Sequence, residues 1–257
     1  MSLTRLLLAN AALFGLSASR IAGFVVVSPF PGKNVGVTQR IGLVVVLSWI
    51  VCAFAPGPDG LGLGLELAWA AIPELCCGLL IGAAFHFVFA GAEVLGGVVG
   101  QATGLGSPSV LNPTLDASET PIARILGVTA MLVVLSTGVH RVALAGLLES
   151  FRAIPVGSAM ALGAPAMRYV ELAMESFVVG VRLAMPVVAV ALVVHAALAM
   201  ISRAAPSLQI FSVGFAILFA ATGGTLLASL GDVFQGLSGH FSHLAAAIDV
   251  VLTDLRP

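Results

Sequence analysis

The stretch Leu65–Val99, LELAWAAIPELCCGLLIGAAFHFVFAGAEVLGGVV, decides the fold class of this sequence. It is apolar almost throughout, and it is much longer than the about 20 residues that one helix needs to cross a bilayer. Pro73 lies near its start, and a proline removes a backbone donor and bends a helix. Such a bend is tolerated in lipid where neighbouring protein satisfies the freed carbonyl group. The stretch therefore predicts a long, bent or broken helix that packs against other protein.

Similar apolar blocks recur along the whole chain. A second long block, Tyr169–Ile201, contains Pro186 and has the same character. We therefore expect an all-α fold, a membrane-associated bundle of long, broken, hydrophobic helical hairpins. The six blocks are Leu6–Val27, Ile41–Ala55, Leu65–Val99, Ile122–Val139, Tyr169–Ile201 and Leu208–Leu230, and a weaker amphipathic tail follows at Phe234–Leu255.

The composition excludes several classes of protein. Of the 257 residues, 59% are apolar and 9% are charged, whereas a typical soluble domain has about a quarter of its residues charged. An ordinary soluble enzyme, a disordered chain and a nucleic-acid-binding protein are therefore excluded. Lys and Arg are shared almost equally between alternate connections of a six-span arrangement, so the positive-inside rule gives no orientation. Either the block edges are misplaced, or the chain does not sit in the bilayer as a conventional bundle.

Small residues recur at helical spacing on the third block. Gly78 and Gly82 are four residues apart, and a longer stripe with the same four-residue spacing follows. Such a stripe lets another backbone approach closely where no hydrophobic effect acts between helices. The spacing is equally compatible with packing inside the chain and with subunit assembly. The longer stripe consists of Ala92, Gly96, Gly100 and Gly104.

Five charged residues are embedded in the apolar blocks or lie at their margins: Glu74, Glu93, Glu175, Arg182 and Asp232. An ionisable group in the membrane costs about 3 kcal/mol on insertion scales, so it is usually paired or faces water. Glu175 and Arg182 are about 10 Å apart along a helix axis, which is too far for a direct pair. Because the carboxylates are scattered, pairing with other helices or subunits is favoured over a proton or ion relay.

The segment from Gln101 to Pro121, QATGLGSPSVLNPTLDASETP, is the longest polar interruption in the chain. Its prolines and glycines exclude a regular helix through it. Connections of this length are usually functional or disordered. The spaced Leu and Val residues within it indicate packing. Composition leaves two interpretations open, a folded loop that caps or plugs a cavity and an exposed linker.

The sequence contains no motif for catalysis or for a cofactor. Neither a nucleotide-binding loop nor a nucleophile or zinc-protease motif is present. His240 and His243 have a spacing that can hold a metal, but a third ligand occurs nearby only at Asp249 or Asp254. We therefore predict a protein that is not an enzyme and that has no metal site and no cofactor.

The segment Ile201–Phe215, ISRAAPSLQIFSVGF, is the most distinctive in the chain. It resembles the signature of the flagellar biosynthetic protein FliR family, whose counterpart in virulence systems is the export-gate subunit SctT. Five positions match that signature, and two positions, Ser207 and Gln209, depart from it. The matching residues are Arg203, Pro206, Phe211, Gly214 and Phe215.

Other elements of the family pattern follow in order along nearly the whole chain. Glu74, Gly78 and Gly82 resemble its Glu-x-x-x-Gly-x-x-x-Gly run. Asn112-Pro113 resembles its Asp-Pro loop, with Asn in place of Asp. The remaining elements are Arg20, Pro29–Gly32, Arg40, Gly96, Gly100, Gln101, Gly104, Gly138, His140, Ser150-Phe151 and Pro155–Gly157.

This resemblance implies a non-enzymatic, pore-forming subunit of the type III protein export gate. The family's partners are the P- and Q-type gate subunits, the FlhB-type and FlhA-type export proteins, unfolded export substrates and membrane lipid. The implied location is the bacterial inner membrane at the flagellar basal body. The chain would be one export-gate domain that is built for a helical hetero-oligomer, with a P-like part at 1–155 and a Q-like helical hairpin at 156–257.

The resemblance also assigns roles to residues. The loop 101–121 would plug the closed channel, and its candidate plug residues are Gln101, Gly104, Gly106, Ser107, Pro108, Asn112, Pro113 and Asp116. Gly96, Gly100 and the five signature residues would lie at subunit interfaces. Arg203 would donate to helix-end carbonyl groups or to a partner carboxylate. Two alternatives remain, a gate subunit of an injectisome and a six-helix transporter of small molecules or ions.

Overall fold

The fold was obtained as a computed structural model, which describes residues 3–29, 35–55, 64–104, 121–157, 166–204 and 210–254. These residues form eight α-helices, and no strand occurs among them. The helices are α1 (Leu3–Val27), α2 (Val37–Phe54), α3 (Leu65–Ala102), α4 (Pro121–Thr137), α5 (Val139–Ala153), α6 (Ala166–Ala204), α7 (Ile210–Ser242) and α8 (Leu244–Asp254). The expected all-α fold of long apolar helices is confirmed.

Five of the helices are long and apolar enough to cross a membrane, and a sixth span results if α4 and α5 are taken together. Both interior prolines lie within continuous helices, Pro73 in α3 and Pro186 in α6. The interruption falls instead at Gly138, whose φ of 74° is a left-handed conformation that favours glycine. The fourth apolar block, Ile122–Val139, therefore coincides with α4 except at Gly138 and at its last residue, which begins α5.

The described residues form two compact units, each with its own core. The first unit comprises those within Met1–Val88, Gly138–Ala173 and Ser242–Pro257. Its core contains Leu16, Phe24, Phe85 and Leu147, and Ile248 of α8 packs against Gly146 of α5. Three separate segments of the chain thus supply one apolar core.

The second unit comprises the described residues within Phe89–Thr137 and Met174–Phe241. Its core includes Leu95, Val133 and Leu237, and the rings of Phe89 and Phe241 stack with centroids 6.1 Å apart. The two units alternate along the chain. The division into a P-like part at 1–155 and a Q-like part at 156–257 concerns relatedness to partner proteins, so it stays a prediction.

Burial differs strongly between the helices. In α3, 56% of the span is buried within the chain, whereas the values are 22% for α6 and 11% for α2. The exposed side chains on α6 are large and apolar, among them Val178, Met185 and Leu192. An apolar surface of this kind is typical of contact with lipid or with other protein.

Candidate functional site

A buried ion pair joins α1 to α3 in the first unit. Nε of Arg20 donates to Oε2 of Glu74 over 2.6 Å, and the two side chains are 1% and 2% exposed. Both residues lie in helices that are predominantly apolar. The charge of each is compensated by the other, which is the usual condition under which ionised groups are found in an apolar environment.

The Arg20 guanidinium also contacts the carboxyl-terminal end of α5. Its Nη1 donates to the carbonyl oxygens of Ser150, at 2.9 Å, and Ile154, at 3.1 Å. The same nitrogen lies 3.4 Å from the Ser150 hydroxyl, and the guanidinium carbon lies 4.4 Å from the ring centroid of Phe151. A cation at this end of a helix is favourable because the last carbonyl groups carry partial negative charge.

The Glu74 carboxylate completes the arrangement on the other side. Its second oxygen, Oε1, accepts the backbone N–H of Gly157 over 2.9 Å. Gly157 has a φ of 82°, so the turn that follows α5 uses the conformational freedom of glycine. We refer to Arg20, Glu74, Ser150, Ile154 and Gly157 as the Arg20 cluster.

Glycines bring the backbones of α1 and α3 into direct contact beside this cluster. A methyl group added at Gly78 would overlap the carbonyl of Arg20, and one added at Gly82 would lie 2.8 Å from the carbonyl oxygen of Phe24. At Gly23 on α1, an added methyl group would lie 2.5 Å from the carbonyl oxygen of Leu75. For Gly78 and Gly82, packing inside the chain therefore accounts for the spacing seen in the sequence.

The longer small-residue stripe lies in the second unit. A methyl group added at Gly96 would lie 3.2 Å from the Cα of Ala123 on α4, and Gly100 is buried. Packing inside the chain accounts for the close approach at Gly96. The assignment of Gly96 and Gly100 to a subunit interface stays a prediction.

The other charged residues of the apolar blocks have different environments. Glu93 is half-buried, and both Glu175 and Arg182 are exposed on α6. No ion pair joins Glu175 or Arg182 to another residue in the described part of the chain. Asp232 is exposed as well, so Glu74 is the fully buried one of these charges.

The start of the proposed plug loop is anchored in the second unit. Gln101 is exposed, whereas Thr103 is fully buried and its hydroxyl donates to the carbonyl of Gly100 over 2.9 Å. Gly104 has a φ of 77°, and a methyl group added there would lie 3.2 Å from Leu218 and 3.7 Å from the ring of Phe215. The loop therefore leaves α3 against two side chains of α7. Gly106, Ser107, Pro108, Asn112, Pro113 and Asp116 lie outside the described residues.

The signature residues lie around the α6–α7 connection. Arg203 is exposed in the last turn of α6, and no ion pair to another described residue engages it. A methyl group added at Gly214 would lie 3.2 Å from Leu198 of α6, so this glycine packs inside the hairpin. Phe215 is 44% exposed and stacks on Phe219. Pro206 and the side chain of Phe211 lie outside the described residues.

His240 and His243, which the sequence offers as a metal pair, separate in the structure. Nε2 of His240 lies 3.1 Å from the buried hydroxyl of Ser176, and His243 is exposed. Across the described residues, no group of three or more His, Cys, Asp or Glu side chains is placed to hold a metal ion.

The sequence pattern marks both Arg20 and Glu74 but does not predict that they pair. The available signal was charge: an Arg and a Glu that lie in separate apolar blocks each need a partner. Their separation of 54 positions hides the pair from any local pattern. The contacts of Arg20 with the end of α5 are further still along the chain.

Comparison with known proteins agrees with the pattern of motifs. The sequence profile of the family described as "Bacterial export proteins, family 1" matches residues 11–244. The Flagellar biosynthetic protein FliR of Escherichia coli is 24% identical over 87% of this chain and 85% of its own length. The proteins of the same name from Aquifex aeolicus and Bacillus subtilis are 29% and 26% identical, over 88% and 87% of this chain and 88% of their own lengths.

Proposed function

We infer that this chain, which belongs to the family of bacterial export proteins, family 1, is a multi-pass membrane component of the flagellar export apparatus. We propose that it is a structural, pore-forming subunit of the type III export gate. The observation that carries the proposal is the family match, which extends over residues 11–244 and thus over both compact units. The proposed location is the inner membrane at the flagellar basal body.

The partners that we propose are the P- and Q-type gate subunits, with FlhB-type and FlhA-type proteins beside them. Support comes from the large apolar side chains that α6 and α7 leave exposed, among them Leu192, Val193 and Leu227. Such surfaces require a covering of protein or lipid. The flagellar names of the relatives favour a flagellum over an injectisome as the host machine.

We further propose that the loop 101–121 closes the channel until an unfolded export substrate enters. The buried Thr103 and the packed Gly104 would hold its first end, while the Gly- and Pro-rich remainder yields without breaking a regular hydrogen-bond ladder. The energy for transport would come from other subunits, since the chain contains no nucleotide-binding motif.

Deletion of residues 105–115 tests the plug. This deletion spares Thr103 and Gly104, whose loss would disturb the packing of α3 and α7. We expect ion conductance of the membrane to rise severalfold while the P- and Q-type subunits still co-purify with the chain. Gly97→Ala, a change at a glycine with open space around it, serves as the control and should leave conductance unchanged.

Two outcomes would contradict these proposals separately. Unchanged conductance in an assembled deletion variant would remove the plug and leave the structural role intact. Solute transport by the purified chain alone, without partner subunits, would instead favour the alternative of a six-helix transporter.

A further inference from the structure

We propose that Arg20 and Glu74 are positioning residues that together clamp the exit of α5. In this arrangement Arg20 holds the last carbonyl groups of α5, and Glu74 holds the backbone N–H of the turn that follows. The ion pair between them joins the two halves of the clamp. Its role is to fix where the chain leaves α5.

The Arg20 half of the clamp acts on acceptors alone. Beyond Glu74, the guanidinium donates to the carbonyl oxygens of Ser150 and Ile154 and lies against the Ser150 hydroxyl. That hydroxyl donates its own proton to the carbonyl of Leu147 over 2.6 Å, so it is available to Arg20 as an acceptor. Among the described residues, the hydrogen-bond partners of the guanidinium are thus all oxygen atoms with lone pairs, which suits a group that has donors and no acceptor.

The Glu74 half acts on donors alone. One carboxylate oxygen accepts from Arg20 and the other accepts the N–H of Gly157. A carboxylate has acceptors and no donor when ionised. Arg20 therefore donates to backbone acceptors and Glu74 accepts from a backbone donor. The two side chains also carry opposite charges.

Helix α3 also holds the far end of the same connection. The hydroxyl of Tyr169, in the first turn of α6, donates to the carbonyl of Leu80 over 2.8 Å, and its ring lies 6.0 Å from that of Phe87. Glu74 and Leu80 both belong to α3. The chain from Gly157 to Tyr169 is therefore tied to one helix at both ends.

This geometry distinguishes a clamp from a simple neutralising pair. If charge compensation were the whole role, exchanging the two residues, Arg20→Glu with Glu74→Arg, would restore the interaction. In the clamp, the exchange places a carboxylate against the carbonyl oxygens of Ser150 and Ile154. It also places a guanidinium, which has no acceptor, against the N–H of Gly157. The exchanged protein should therefore behave no better than either single alanine variant.

The buried thiol of Cys77 reports the state of the clamp. It lies in α3 one turn after Glu74 and is 1% exposed. In a Cys52→Ser, Cys76→Ser background, the reaction rate of Cys77 with a small maleimide measures local opening in detergent micelles. We expect Arg20→Ala, Glu74→Ala and the exchanged pair each to raise the rate tenfold or more, and Arg20→Lys to give a smaller increase. Glu171→Gln, in the exposed Arg168–Glu171 pair, is the control and should leave the rate unchanged.

Hydrogen–deuterium exchange separates positioning from general loss of stability. In Glu74→Gln, which keeps the side-chain shape, exchange at residues 154–157 should accelerate at least fivefold more than exchange at residues 139–149 of α5. This variant also keeps the test open if the alanine variants do not accumulate. Neither readout depends on partner subunits, so the clamp can fail while the proposed function stands.

Either of two results would overturn the clamp. The first is an exchanged pair whose Cys77 reactivity lies within twofold of the wild-type rate, which would reduce the role to charge compensation. The second is equal acceleration of exchange along α5 and its exit turn, which would mean that Glu74 stabilises the unit without positioning the turn.

Discussion

The Arg20 cluster and the outer face of α6 are opposite in polarity and in burial. In the cluster, two charged side chains lie in an apolar core, and groups of the same chain satisfy them. On α6, the apolar side chains Val178, Met185 and Leu192 recur every seven residues on one helix face and stay exposed. The first region is complete within the chain, whereas the second requires a covering from outside. The contrast teaches that the charged groups buried in this apolar core find their partners within the chain, whereas the exposed apolar face of α6 does not.

The largest effect is expected where the cluster depends on backbone contact. Gly78→Ala places a methyl group on the carbonyl of Arg20, and only separation of α1 from α3 relieves the overlap. Because overpacking costs about 1–3 kcal/mol even where side chains adjust, we expect a loss of about 3 kcal/mol or more. Thermal unfolding in detergent micelles measures it.

Gly97→Ala is the matched control on the same helix. Nothing lies within 4 Å of a methyl group added there, so the change should stabilise α3 by about 1 kcal/mol through helix propensity. Opposite signs for the two substitutions would support the contact. Equal melting temperatures would show that α1 and α3 do not meet at Gly78 in solution.

The next effect tests what covers the face of α6. Leu192→Trp adds bulk at a position that is 65% exposed. Lipid tails adapt to a larger apolar side chain, but a packed protein surface does not. We therefore expect normal folding of the chain and about tenfold weaker capture of P- and Q-type subunits, which corresponds to about 1.4 kcal/mol.

Leu192→Ile conserves volume and is the control for that substitution. It should leave both folding and capture close to wild type, because volume-conserving apolar changes are well tolerated. Capture that is equally strong in the Trp variant would assign this face to lipid. The α6 face would then be covered by lipid and not by partner subunits, and the conclusion about the core would be unaffected.

The same contrast explains which features of the structure local sequence predicts and which it does not. Helix class, helix length and a close approach at Gly78 and Gly82 follow from local composition and spacing, but the choice between packing inside the chain and subunit assembly does not. The partner of Glu74 cannot be predicted from local sequence, because Arg20 on α1 reaches it only through tertiary packing. Glu175 and Arg182 have the same local signature as Glu74 and yet are exposed. Apolar neighbours in sequence therefore do not specify burial in a chain whose surface is itself apolar.

Some helix ends can be predicted from the sequence, whereas some apparent interruptions are not helix ends. Gly138 and Gly157 adopt positive φ, as glycines near turns often do, so sequence can mark them. Pro73 and Pro186 look like equally strong interruptions, but α3 and α6 continue through them. In an apolar setting, a helix that stops leaves backbone groups without partners, so continuation past a proline costs less than a break.

The smallest effect concerns Arg203, an exposed charge at the carboxyl-terminal end of α6. It lies in the last turn of α6, where a cation is worth about 0.3–1 kcal/mol to the helix, and no described residue forms an ion pair with it. Arg203→Ala should therefore lower the melting temperature of the chain only slightly while reducing capture of partner subunits about threefold. Arg152→Ala removes another exposed Arg, which is paired with Glu149, and it should leave capture unchanged. If the Arg203 variant captures partner subunits as well as the wild type does, Arg203 only stabilises the end of its own helix. Partner subunits would then bind α6 through apolar contacts alone.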